Sequence, residues 1–227
     1  MQKLCCIVFD FDGVLVDSNA VKRHAYFEIF SDLDPAGASV HAILGNHGDN
    51  DRYQIIAAIL DRLVVEQRVP ARQADLAAVR ERALAYNNIC EAFAATCAEI
   101  SGASATLAAL APHYTLYINS ATPEEPLRRI VTKRGWDGYF QGVLGRPCTK
   151  VENLRRILQA EGLAPDQVVM VGDGRYDLEA ARAVGCCFVG MRNPFNDFDP
   201  AGLTLLDDLR GLPALLASRT ERELLCC

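Results

Sequence analysis

The stretch IVFDFDGVLVDS, residues 7–18, decides how the rest of the chain is read. Ile7, Val8 and Phe9 form a short apolar run that stops at Asp10, with Asp12 two places on and Gly13 directly after it. Such a run reads as a strand buried on both faces. Two apart in extended chain, Asp10 and Asp12 lie on one side, and Gly13 allows a tight turn to follow. Carboxylates held that close repel each other unless a cation lies between them. The stretch therefore predicts a buried strand that ends in an acid pair with a use other than packing.

Further short apolar runs end in small or acidic residues: LCCIVFD (4–10), YTLYINS (114–120), GVLG (142–145), VVMVGDG (168–174) and CCFVG (186–190). Helical stretches at 123–134, 150–161 and 175–184 lie between the later runs. Strand alternating with helix implies right-handed crossovers and a parallel sheet with helices on both faces. The expected fold is α/β, a doubly wound, Rossmann-like parallel sheet.

Residues 18 to about 100 carry no strand pattern. Leu76, Val79, Ala83, Tyr86, Cys90, Phe93, Cys97 and Ile100 recur at alternating steps of three and four, which predicts one face of a long helix. RVPAR, at 68–72, reads as a turn before it. The expected organisation is a core of residues 1–17 and 86–227, with a helical cap domain, 18–85, inserted between its first two strands.

Length and composition narrow the function. A chain of 227 residues suits one large domain or a core with an insertion. A net charge of −6 speaks against a general nucleic-acid surface, which needs a basic face. No apolar run approaches the roughly 20 residues that cross a bilayer. The start, MQKLCCIVFDFDG, lacks the pattern of a secretory signal. The expectation is a soluble cytoplasmic protein, monomer or homodimer, with no nucleic-acid or membrane partner. Among its nine cysteines, Cys5-Cys6, Cys186-Cys187 and Cys226-Cys227 are adjacent, which suits neither a disulfide within the pair nor a zinc site. They read as small hydrophobes in a reducing compartment.

In open parallel sheets, ligands bind beyond the carboxyl ends of the strands. Asp10, Ser120, Lys150 and Asp173 are all placed to reach that edge, and such convergence is more informative than any one of them. Asp177 follows Asp173 by one helical turn, on the same face. Oxygen donors without sulfur or nitrogen point to Mg²⁺, held by Asp10, Asp12 and Asp173 with Asp177 behind them. A carboxylate can also act as a nucleophile and form an acyl-phosphate. Asp10 would attack, and Asp12 would protonate the leaving oxygen and then activate water. Ser120, with Ala121 beside it, and Lys150 would hold the phosphoryl oxygens, and the N–H groups of Phe11 and Asp12 would complete the nest. Within the insertion, His47 and Arg52 are the candidates for contact with the rest of a substrate. Thr122 and Thr149 read as helix caps, and Trp136 and Tyr139 as packing residues.

DFDGVLVDS (10–18), INSAT (118–122), the Lys150 that follows GRPCT (145–149), and GDGRYDLEAA (172–181) resemble, in order, the four motifs of the haloacid-dehalogenase superfamily. The resemblance covers the whole chain. Aspartate at position 12 resembles the phosphatase branch. An insertion directly after the first motif resembles the small helical-cap class, as in phosphoglycolate phosphatases and β-phosphoglucomutases. HGDNDRYQ (47–54) and LYINSATPEEPLRRIVTKRG (116–135) resemble a group of sugar-phosphate-type hydrolases whose cap carries HGGxSRYxKF. Here Asp49, Asn50 and Asp51 replace Gly-x-Ser, and Ile55-Ile56 replaces Lys-Phe. The resemblance implies a Mg²⁺-dependent phosphatase for a small phosphorylated metabolite, a sugar phosphate or phosphoglycolate-like ester, acting through an aspartyl-phosphate. The alternatives are a phosphomutase that returns the phosphoryl group to its substrate, and a non-catalytic relative.

Overall fold

In the computed structural model, residues 3–47, 52–194 and 201–218 are described, without the side chains of Asn46 and His47. Cys6–Phe9 (β1) is wholly buried and lies within a parallel sheet. Its partners are Thr115–Pro123 (β2) on one side and Val168–Gly172 (β4) on the other. Gly142–Arg146 (β3), Cys187–Met191 (β5) and Leu205–Leu206 (β6) extend the sheet outward. Among the described residues the order is β3-β2-β1-β4-β5-β6. The chain winds outward from β1 to one edge, then returns to β4 and winds to the other. Strand order therefore reverses between β1 and β4, which is where open α/β sheets hold ligands. Phe9 pairs with both Ile118 and Val171, so Asp10, the Asn119-Ser120 pair and the Gly172-Asp173 pair leave the sheet at one level.

The expected α/β fold is the observed one, and its boundaries are close to those read from the sequence. Glu124–Lys133 (α6), Lys150–Glu161 (α7) and Arg175–Val184 (α8) are the crossover helices. Cys6 and Val8 face one side of the sheet and pack with Leu154 and Ile157 of α7 and Leu178 and Ala181 of α8. Each such aliphatic side chain contributes about 1.5–3 kcal/mol by leaving water. The alternate residues, Ile7 and Phe9, are also fully buried, as a sheet covered on both faces requires. β6, only two residues long, gives no pattern that a sequence reading could use.

The chain forms two compact units, Met1–Asp17 with Ala94–Cys227, and Ser18–Phe93. The second is helical: Asn19–Ile29 (α1), Ala38–His47 (α2), Arg52–Val65 (α3) and most of Leu76–Ala94 (α4). Its core gathers Phe30, Val40, Ile55, Ile56, Ile59, Leu60, Leu63 and Tyr86. The expected boundary at residues 85 and 86 falls inside α4, whereas the units divide between Phe93 and Ala94.

One helix expectation is corrected. The apolar stripe predicts a helix that runs on to Ile100, but α4 stops at Ala94. The Arg134 guanidinium takes the carbonyls of Ala94 and Cys97, each at 2.7 Å, and the chain turns there. Val79, Ala83 and Tyr86 are buried on the stripe as expected, but Leu76 is 63% exposed at its start. Ala103–Leu110 (α5) and Leu212–Ser218 (α9) belong to the sheet-bearing unit. The seven described cysteines are thiols, not disulfides, and burial pushes the Cys6 thiol up to about 12. Among the described residues, no helix is long and apolar enough to cross a membrane.

Candidate active site

Asp10 is the first residue beyond β1, and its N–H donates to the Val171 carbonyl at 2.8 Å. That bond continues the β1–β4 ladder by one step and fixes where the side chain begins. Asp10 Oδ1 accepts the Phe11 N–H at 2.7 Å, and Oδ2 lies 2.8 Å from Lys150 Nζ. Lys150 opens α7, where the helix dipole alone would disfavour a cation. Two carboxylates reverse that preference, because Nζ also lies 2.5 Å from Asp177 Oδ1. Thr149 caps α7 in a reciprocal box with Glu152, which sets the angle at which Lys150 enters.

Asp173 and Asp177 come from the turn between β4 and α8. A Cβ on Gly172 would overlap Asp177, so only glycine lets that carboxylate come in against the strand end. Asp177 Oδ2 accepts the Gly174 N–H at 3.1 Å, and Asp173 Oδ2 accepts Asn193 Nδ2–H at 2.7 Å. Asp10, Asp173 and Asp177 each offer an oxygen within 4.8 Å of the other two. Asp12 is not in that trio. Its Oδ2 instead accepts the Thr122 hydroxyl at 3.0 Å. Gly13, at φ 74°, turns the chain between Asp12 and the Gly13 N–H bond to the Val16 carbonyl, at 2.8 Å.

The electrostatics are lopsided. Asp10, Asp12, Asp173 and Asp177 are exposed by 6%, 6%, 9% and 1%. Among the described residues, the ammonium paired within this group is that of Lys150. Burial raises the Asp10 carboxyl to about 6; Lys150 pulls it down, while Asp177 and Asp12 push it further up. Burial also works against the Lys150 ammonium, but Asp10 and Asp177 outweigh it and hold the amine above the ordinary lysine range. The two upward shifts describe one contact from opposite sides. Lys150 keeps its proton, and Asp10 depends on Lys150 for its charge. The group carries a surplus of negative charge, offers only oxygen donors, and so suits a hard divalent cation such as Mg²⁺.

Ser120 is 1% exposed at the buried end of the apolar part of β2, and its Oγ accepts the Thr122 N–H at 3.1 Å. Ala121 lies between them on the exposed side. Phe11 is fully buried. Thr122 is not a helix cap as expected, because Pro123 holds the N-cap position of α6 and the Thr122 hydroxyl is given to Asp12. Trp136 is buried and donates Nε1–H to Ser104 at 3.1 Å, in keeping with a packing role. Arg52 opens α3 in the helical unit, hydrogen-bonded to Asn87 and 5.8 Å from the Tyr86 ring centroid. The His47 side chain and residues 49–51 lie outside the described residues.

Three residues that the sequence reading passed over, Asn119, Asn153 and Asn193, support this edge, and Thr122, which it read as a cap, joins them. Asn119 and Asn153 are fully buried. Asn119 donates to the Lys150 carbonyl at 2.9 Å, and Asn153 donates to Asn119 Oδ1 at 3.1 Å. They tie β2 to the first turn of α7 and thereby locate Lys150. Asn119 had a usable signal, being a polar residue within an apolar strand. Asn193 and Thr122 carried none, since their roles depend on loops that meet only in three dimensions.

A family described as haloacid dehalogenase-like hydrolase matches residues 6–185. A 5'-nucleotidase of Pseudomonas aeruginosa is 30% identical over 91 residues, which are 38% of this chain and 41% of that protein. A phosphoglycolate phosphatase of Escherichia coli K12 is 32% identical over 97 residues, 37% of this chain and 38% of that protein. The similarity thus spans less than half of either curated relative. The crystal structure of a predicted phosphoglycolate phosphatase from Haemophilus somnus 129pt shares the fold, with a TM-score of 0.77, 20% identity, and coverage of 95% of this chain and 99% of that one.

Proposed function

This chain belongs to the haloacid dehalogenase-like hydrolase family, and from that premise we propose that it is a Mg²⁺-dependent phosphatase. Its substrate would be a small phosphate monoester, a sugar phosphate or a phosphoglycolate-like ester. The observation that carries this reading is the surplus of buried carboxylate around one lysine, with Asp10 at its centre. Without a chemical use, so many acids buried together would be a net cost to the fold.

Asp10 and Asp173, with the main-chain carbonyl of Asp12, would hold Mg²⁺. Asp177, whose oxygens are engaged by Lys150 and Gly174, would stand behind them. The ion would offset the charge of the phosphate as it meets a carboxylate. An Asp10 oxygen forms a bond to phosphorus, and the phosphorus–ester oxygen bond breaks, its electron pair staying with the leaving oxygen. Asp12 gives that oxygen a proton, and an alcohol departs. Water then attacks the same phosphorus, Asp12 takes a proton from it, and inorganic phosphate leaves as the Asp10 carboxylate re-forms. Ser120, Lys150 and the N–H groups of Phe11, Asp12 and Ala121 would receive the phosphoryl oxygens. The helical unit would act as the cap, with Arg52 and His47 choosing among esters.

The test is a screen of phosphate esters with Mg²⁺ present, including phosphoglycolate, hexose phosphates and nucleoside monophosphates. Rapid quench would trap phosphate on the protein. The reading expects turnover of at least one ester and label on Asp10. Isomerised hexose phosphate in place of free phosphate would favour a phosphomutase. No turnover and no label across the panel would leave a non-catalytic relative.

A further inference from the structure

We propose that Asn119 and Asn153 are positioning residues for the phosphoryl group, a buried amide pair that sets the spacing between Ser120 and Lys150. The inference rests on the reading of Ser120 and Lys150 as holders of phosphoryl oxygens, and it goes beyond that reading to two residues behind them.

Both asparagines are fully buried. Asn119 Nδ2–H donates to the Lys150 carbonyl at 2.9 Å. A carbonyl only accepts, so Asn119 must turn its Oδ1 the other way, and there it accepts Asn153 Nδ2–H at 3.1 Å. Asn153 Nδ2–H also reaches the Gly145 carbonyl at 3.4 Å, and Asn153 Oδ1 accepts Arg156 Nη1–H at 3.4 Å. The orientation of both amides is thus dictated by their partners. Together they hold both ends of the connection from β3 to α7, with Gly145 at its start and Lys150 at its end.

Side chains alternate along a strand, so Asn119 shares a face of β2 with Tyr117, and Ser120 leaves from the other. Tyr117 packs on that face with Leu144 and with Leu154 and Ile157 of α7. Asn119 therefore governs Ser120 through its main chain and Lys150 through its side chain. Asp10 Oδ2 and Asp177 Oδ1, at 2.8 and 2.5 Å, aim the Lys150 ammonium, but only if its main chain starts from the right place. Two apolar side chains of similar shape would suit this apolar surrounding at no net cost, because neither would leave a buried donor unpaired. The amide pair therefore serves geometry more than stability. The phosphoryl group is common to every ester, so an error in its placement burdens all esters alike.

The experiment compares wild type, Asn119→Leu, Asn153→Leu and the double variant as full-length proteins with Mg²⁺. It measures the thermal midpoint, calorimetric binding of inorganic phosphate while each protein is folded, and kcat/KM for every ester that the wild type turns over. Each single variant strands one buried amide and should melt lower than wild type. The double variant should regain the lost stability, yet its phosphate affinity should stay down by about tenfold, the worth of one misdirected charged hydrogen bond. Its kcat/KM should fall by one common factor across the esters. Wild-type affinity and kcat/KM in the double variant, losses that differ among esters, or a double variant as unstable as the single ones would overturn the inference and leave the phosphatase reading intact. A wild type that turns over no ester, but binds phosphate more tightly than the double variant, overturns that reading and leaves the inference standing. A wild type that neither binds phosphate nor turns over an ester overturns both.

Discussion

Each compact unit buries aspartate, and the two settings differ in kind. In the helical unit, Asp34 is 2% exposed, and its charge is balanced. Oδ2 accepts the N–H groups of Ser39 and Val40 at 2.8 and 3.1 Å, and Oδ1 accepts Arg68 Nη1–H at 2.8 Å. Those N–H groups belong to the first turn of α2, so Asp34 caps that helix from four residues before its start. Burial opposes its charge, but the Val40 N–H, Arg68 and the Ser39 N–H outweigh burial and hold its carboxyl below the ordinary range. At the end of β1, four carboxylates are buried, and Lys150 pairs with two of them, Asp10 and Asp177. A carboxylate matched by donors and one cation is structure. A surplus of carboxylates is a demand for something that binds, and a fold tolerates it for the sake of function.

The strongest way to break this contrast is to neutralise one acid on each side. Asp10→Asn should lower turnover by on the order of 10⁴-fold or more, as loss of a nucleophile does. In EDTA, the same variant should unfold at the same temperature as wild type or a higher one, because it relieves repulsion. A marked fall in thermal midpoint would show that the cluster is balanced after all.

Asp34→Asn should do the opposite, costing about 1–3 kcal/mol of stability by spoiling acceptors for buried donors. The pH dependence has a definite sign. A carboxyl whose pKa is lowered by folding contributes stability that is present above its unfolded value, near 3.9. That contribution is lost as pH falls through the folded value. Urea melts of wild type and Asp34→Asn should therefore diverge at neutral pH and converge in acid. A gap that stays constant down to acid pH would remove the role of the ionised group.

The smallest effect should come from the helical unit's surface. Arg52→Ala is expected to raise KM for the preferred ester a few-fold with kcat nearly unchanged, the signature of lost uniform binding. p-Nitrophenyl phosphate should be spared. Equal loss of kcat on both esters would show that Arg52, bonded to Asn87, is a structural residue.

The fold was legible wherever local pattern decided it. Apolar runs stopped by Asp or Gly marked β1 and β4, and the cap residue Thr149 marked the start of α7. The start and end of α7 and α8 matched the sequence reading residue for residue, because caps and glycines set them. What failed was decided at long range. α4 ends where Arg134, forty residues away, takes the Ala94 carbonyl, and no window of sequence around Ala94 contains that bond. Thr122 looked like a cap because it precedes a helix, yet its hydroxyl belongs to Asp12, 110 residues earlier. The acids of the site were visible as types and spacings. Which of them share one lysine, and which stands apart with a threonine, depends on how strand ends meet.

The central claim is that the surplus of carboxylate at the end of β1 is a seat for Mg²⁺, and direct titration of the ion tests it without relying on turnover. Isothermal calorimetry on metal-stripped protein should show Mg²⁺ binding at one ion per chain. In Asp173→Asn, which removes one carboxylate from the trio of Asp10, Asp173 and Asp177, affinity should fall by about tenfold or more. Asp34→Asn should bind as wild type does. Absence of binding in the wild type, or equal affinity in Asp173→Asn, would contradict the account.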